Sequence, residues 1–220
     1  MNVRTLRHVK VAALALLIGL VVTSAAVAGR GDPKEQFTAA DQVRAKAMLL
    51  RPSDFSAAFV ARPSGSNDDD FYCSAIDESD LTLTGKAESA TFAAQTEYAT
   101  STGYVYASRA QSDASWRRGA SKAGEQCLRL GVRAQFRQAK ARFVSFKQTA
   151  FPHRGDRSIA YRAIATTQGV RLYIDVVAIQ VGRAQAAVIY GTALVPPPQS
   201  ELRRLTGVVA ARAQKAMQGG

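Results

Sequence analysis

The clearest alternation of apolar and polar positions lies in Gly155–Thr192, GDRSIAYRAIATTQGVRLYIDVVAIQVGRAQAAVIYGT. Three runs rich in β-branched and aromatic residues are separated only by Gln168-Gly169 and Gly182-Arg183. Gly-bearing pairs between such runs predict tight hairpin turns, and the turn length then sets the register. Arg162 is predicted to face Asp175, Ile164 to face Tyr173, Asp175 to face Tyr190, and Val177 to face Val188. One face of this meander carries Ile159, Tyr161, Ala163, Leu172, Ile174, Val176, Ala178, Ala187 and Ile189. It is almost wholly apolar and must be covered. The other face carries a polar row, Arg162–Asp175–Tyr190, beside apolar neighbours that include Tyr173, Ile164 and Ile179.

Elsewhere the period is helical. Phe37, Ala40, Val43, Ala47 and Leu50 recur as one stripe of a helix that Thr38 opens, with Asp41 three residues on, and that Pro52 closes. Residues 52–80 read as loop. Leu81–Ala94 and Tyr98–Ser108 predict two strands, with Gly85 and Gly103 as bends or bulges. A second helix starts at Ser112 or Asp113, buries Trp116, Ala120, Ala123, Cys127 and Leu130, and weakens at Gly131. Arg133–Lys147 reads as a connection followed by a strand over Arg142–Thr149. Beyond Pro196-Pro197-Pro198 a final helix begins at Ser200 or Glu201, with Leu202, Leu205, Val209 and Ala216 facing inward and Gly219 past its end. The expected fold is α+β: a single antiparallel sheet of about six strands with about three helices packed mainly on one face, because tight turns between neighbouring strands favour hairpins over parallel crossovers.

The N-terminus changes the setting. Arg4, Arg7 and Lys10 precede the apolar run Val11–Val22, and Ala26-Val27-Ala28 supplies a small-x-small cleavage pattern. Residues 1–28 therefore read as an export signal, and twelve apolar residues fall short of the roughly 20 needed to span a bilayer. An uncleaved N-terminal anchor is the alternative. Residues 29–37 read as a tether and 38–217 as one domain, placed outside the cytoplasm, secreted or attached to the cell envelope. In that setting Cys73 and Cys127 are expected to pair, which would contribute about 4 kcal/mol on the chain-entropy account.

Charge and missing chemistry narrow the function. The chain is basic, +12 overall, yet residues 29–97 hold seven basic and twelve acidic side chains. The basic later half suggests an anionic envelope polymer or lipid surface as a possible partner, and the interleaved basic and aromatic stretch Arg133–Lys147 fits the same idea. Nucleic acid is not expected of an exported protein. Asp68-Asp69-Asp70, with Asp77, Glu78 and Asp80, has ligand chemistry for calcium but lacks the spacing of a calcium loop, so no metal site is assigned. Two Arg-Gly-Asp tripeptides, at 30–32 and 154–156, are short enough to arise by chance. After residue 28 the only histidine is His153, and no nucleophile–base set, metal motif or phosphate loop accompanies it. The reading is a non-catalytic binding domain without a cofactor, the ligand being an unknown small molecule or envelope component. An unrecognised hydrolase is the remaining alternative. Arg162, Asp175, Tyr190 and Tyr173 are the candidate ligand contacts, since a half-apolar face with converging polar groups is typical of a binding site. The competing account of the same row is a cross-strand ion pair beneath a covering helix or loop.

Several landmarks together resemble a known family. They are Leu49-Leu50-Arg51-Pro52-Ser53-Asp54 at a helix end, a Cys after a loop, and a strand near Leu81. A helix from Trp116 to Cys127 follows, then Gly155-Asp156-Arg157-Ser158-Ile159-Ala160-Tyr161-Arg162 and the hairpin Val181-Gly182-Arg183-Ala184. Over roughly residues 38–217 this resembles the PknH-like extracellular sensor domain of actinobacterial receptor serine/threonine kinases, in a free-standing exported form. The resemblance implies an antiparallel sheet with helices on one face and a ligand cleft on the other. Such domains commonly carry two disulfides, whereas this chain can form one, and no kinase domain follows.

Overall fold

The computed structural model describes residues 31–64 and 72–218. The export signal read over 1–28 and the acidic run Asp68–Asp70 lie outside the described residues. The strands are β1 (Lys34–Glu35), β2 (Val60–Arg62), β3 (Thr82–Glu88), β4 (Thr91–Ala94), β5 (Glu97–Tyr106), β6 (Arg142–Thr149), β7 (Arg157–Thr167), β8 (Val170–Val181) and β9 (Ala184–Ala193). The helices are α1 (Ala39–Met48), α2 (Arg109–Gly119), α3 (Lys122–Gln138) and α4 (Gln199–Gln218). All nine strands join one sheet in the order β1-β3-β5-β9-β8-β7-β6, with β4 on the other half of β5 and β2 beyond it.

The class is α+β, but the expected six antiparallel strands and three helices are not what forms. The sheet is mixed, because Lys34 and Glu35 pair parallel to Thr82 and Leu83. Among the described residues there are four helices, and they cover both faces. Val177, Ile179, Val188 and Tyr190 pack with Ala45 and Met48 of α1 and with Leu202, Leu205 and Val209 of α4. Tyr161, Leu172, Ile174 and Ile189 pack with Val132 and Phe136 of α3 on the opposite side. A sheet apolar on both faces cannot leave one in water, so two layers of helices follow from the meander's own composition.

The meander forms with the predicted register. Arg162 pairs with Asp175, Ile164 with Tyr173, and Asp175 with Tyr190. Its turns rest on Gln168 and Gly169, at φ 48° and 78°, and on Gly182 at φ 57°.

Helix α1 starts as read, with the Thr38 hydroxyl accepting from the Asp41 amide at 3.1 Å. Its buried face is a different one. Asp41, Ala45 and Met48 are buried, while Phe37 and Val43 are exposed. The reason lies in the two glycines across from it. A Cβ on Gly85 would come within 2.3 Å of the Asp41 carbonyl oxygen, and one on Gly103 within 2.8 Å of that of Ala45. Both glycines let α1 lie close on the sheet, which selects its narrow face. Gly85 also follows a register shift between β3 and β5.

The single helix expected from Ser112 or Asp113 to Gly131 is two. Ser121 caps the second, its hydroxyl accepting from the Gly124 amide at 2.9 Å, and Leu130 is exposed. Helix α3 then continues through Gly131, which is buried, to Gln138. The stretch read as a connection is its last two turns. The strand Arg142–Thr149 forms as predicted.

Candidate functional site

The polar row is brought together as the register required, and it is closed. Arg162 donates from Nε and Nη2 to the two carboxylate oxygens of Asp175 at 2.6 and 2.7 Å. Gln199, in the first turn of α4, donates to the same carboxylate at 3.3 Å. The Tyr190 hydroxyl donates to Glu97, and Asp175 and Tyr190 are only 3% and 1% exposed. Tyr173 is buried beside them. The hydrogen bond to Asp175 holds the Arg162 guanidinium charged beyond its ordinary range. A bidentate pair under a helix is the geometry of the ion-pair account of this row.

A wide, open groove of about 800 Å³ lies between α1 and α4, lined by Arg44, Arg51, Arg212 and Lys215. An apolar space that could hold a ligand lies on the face opposite the polar row, as a more enclosed cavity of about 240 Å³. By the share of liquid volume a water takes, that is roughly eight waters. Its floor is the row Ile159, Ala178 and Ala187, paired across β7, β8 and β9. Two alanines stand where the neighbouring row carries Tyr161, Val176 and Ile189, so the floor dips. Trp116 and Gly119 of α2, Ala120 just past its end, and Leu128 of α3 roof it. A Cβ placed on Gly119 would meet nothing within 4 Å, so the roof leaves room as well.

Two irregular segments make the side walls. Cys73, Ile76 and Glu78 form one, fixed to α3 by the Cys73–Cys127 disulfide. Arg118 fixes the same segment from α2, donating to both Asp80 oxygens at 2.6 and 2.7 Å and to the Asp77 carbonyl at 2.6 Å. The other wall is Gly31–Glu35, the stretch read as a tether. It is tied down at Gly31, whose carbonyl accepts from the Glu78 amide at 2.7 Å. The exposed side chains of Asp32, Glu35, Tyr72 and Lys86 mark the mouth.

The polar groups gather toward this mouth. Tyr106 donates to Glu78 Oε2 at 2.9 Å, and its hydroxyl lies 2.8 Å from Ser115 Oγ. Burial pushes the Glu78 carboxyl up from its ordinary range and the Tyr104 and Tyr106 phenols up as well. Asp32 is pushed up to about 6, chiefly because the wall desolvates its carboxyl; Lys86 opposes this, and Glu35 and Glu78 add to it. Lys86 itself is held on Glu35 at 2.8 Å.

No lining residue is a histidine or a free cysteine, and His153 stands exposed, with Nε2 3.1 Å from the Asp156 carbonyl oxygen. Among the described residues no cluster of His, Cys, Asp and Glu is placed to hold a metal ion. The arrangement can bind and orient a small molecule. The polar row drew attention in the sequence because opposite charges face each other there. The cavity left a fainter mark, the paired alanines at 178 and 187 on an otherwise bulky face. No family model matches the chain, and no curated protein matches it.

Proposed function

We propose that this protein is a non-catalytic ligand-binding domain of the cell envelope, sensor-like in the manner of the PknH-like extracellular domains it resembles, and that the cavity beneath α2 and α3 is its ligand site. The observation that carries this reading is a half-enclosed apolar cavity with carboxylate and phenol groups converging at one end, the usual make-up of a small-molecule site. The Cys73–Cys127 disulfide is compatible with a place outside the cytoplasm. Among the described residues no helix is long and apolar enough to cross a membrane.

The test is to express the oxidised protein, identify by mass spectrometry any small molecule that stays with it, and repeat with Ala187→Leu, whose side chain would fill the floor. Retention by the wild type and loss in a variant of unchanged circular dichroism supports the reading. Equal retention by both places the molecule elsewhere and overturns it.

A further inference from the structure

We infer that the cavity takes a small organic cation, an ammonium or quaternary ammonium head carrying an apolar group. The inference rests on the cavity being the ligand site and goes on to name the ligand's charge. The first ground is the lining. Tyr72, Tyr104, Tyr106, Trp116 and Tyr161 all border the space. Aromatic faces attract cations through their quadrupoles, and grouped aromatics are the usual receptor for quaternary ammonium.

The second ground is charge. Three carboxylates line the space, Asp32, Glu35 and Glu78, against one cation, Lys86, which lies at the mouth on Glu35. This acidic lining sits in a chain of net charge +12, so it runs against the molecule's overall sign. Arg118, the guanidinium behind this wall, is taken up by the two oxygens of Asp80.

The third ground is Glu78 itself: Tyr106 and Ser115 offer it neutral hydrogen bonds, and the cation acting on it, Arg118, places its own hydrogen bonds on Asp80 and the Asp77 carbonyl. A neutral ligand filling the cavity would desolvate this carboxylate further without compensating it, and an anion would be repelled. A cation satisfies both the carboxylates and the rings. The apolar floor of Ile159, Ala178 and Ala187 then suits the substituent.

The test compares choline with its uncharged isostere, in which a tert-butyl group replaces the trimethylammonium, and with tert-butylacetate as the anion. Titration calorimetry on the oxidised chain at low salt reads the affinities. Choline is expected to bind at least roughly tenfold tighter than the neutral isostere, and the anion not to bind. Glu78→Gln should weaken choline by a similar factor and leave the isostere unchanged. Asp32→Asn, at the exposed mouth, removes a carboxylate whose ionisation the fold disfavours and should weaken choline in the same direction. If the neutral isostere binds as tightly as choline, or neither carboxamide variant affects choline, the cation inference is overturned and the binding site stands. If none of the three probes binds and Ala187→Leu changes no retained molecule, the site reading falls with it.

Discussion

At the scale of single residues, buried charge in this protein is concentrated in a few bidentate arginine–carboxylate pairs. Asp41 accepts from Arg183 Nη2 at 2.6 Å and Nη1 at 2.8 Å, and from Arg44 at 2.7 Å. The Arg183 bonds, foremost, hold its carboxyl well below the usual range. A carboxyl lowered in this way stabilises the fold above its unfolded value, near pH 4, and that contribution is lost as pH falls toward the folded value. Asp41→Asn should cost about 3 kcal/mol, the low end for breaking a buried pair, and should flatten the acid limb of a urea-midpoint-against-pH curve. Arg162→Gln should likewise lower the thermal midpoint, because it leaves Asp175 buried with only Gln199 to meet it, and should leave cavity ligands in place.

Asp32 titrates in the opposite sense. Its folded value near 6 lies above the ordinary one, so the empty fold loses stability as pH rises through 6. The charged groups facing it are Glu35, Glu78 and Lys86. Choline affinity should therefore fall as pH drops below about 6, and Asp32→Asn should remove that step from calorimetric titrations across pH 5 to 8.

At the scale of elements, the close approach of α1 to the sheet depends on Gly85 and Gly103. Gly85→Ala places a methyl against the Asp41 carbonyl and should cost about 1–3 kcal/mol or more as overpacking, read in a denaturant midpoint. Both glycines were visible in the sequence, but a glycine in a strand signals a bulge and a close helix alike. The apolar count favoured the stripe from Phe37 to Leu50, whereas contact with the sheet selects Asp41, Ala45 and Met48. Apolar periodicity reports only apolar faces, and this helix docks through a buried ion pair at Asp41 together with Ala45 and Met48.

The meander was legible down to its register, because two-residue turns leave no freedom in pairing. The break between α2 and α3 was not, since the apolar spacing from Trp116 to Cys127 continues across Ser121. Strands β1 and β2, of two and three residues, are too short to show an alternation at all.

At the scale of the whole molecule, both helical layers were implied by a meander apolar on each side, while its polar row was open to two accounts, a ligand site or a cross-strand ion pair under a covering helix or loop. The structure puts that row under α4 and the apolar cavity under α2 and α3. The disulfide matters most at this scale. It spans 54 residues and ties the Cys73 wall to α3, so its loss should cost about 4 kcal/mol at most on the chain-entropy account. A Cys73→Ser, Cys127→Ser variant should melt lower and also bind choline more weakly, because a loosened wall no longer presents Glu78.

Strand β1 carries a consequence in time. It is two exposed residues long, and the amides of Lys34 and of Gln36, just past its end, donate to the Leu81 and Leu83 carbonyls at 2.9 and 2.8 Å. So short a pairing opens at far lower free energy than the meander. Hydrogen exchange at those two amides should be fast in the empty protein and slow once a ligand bridges Asp32 and Glu78. The rate of ligand capture would then follow the rate at which this strand lifts and resettles, whatever molecule is offered.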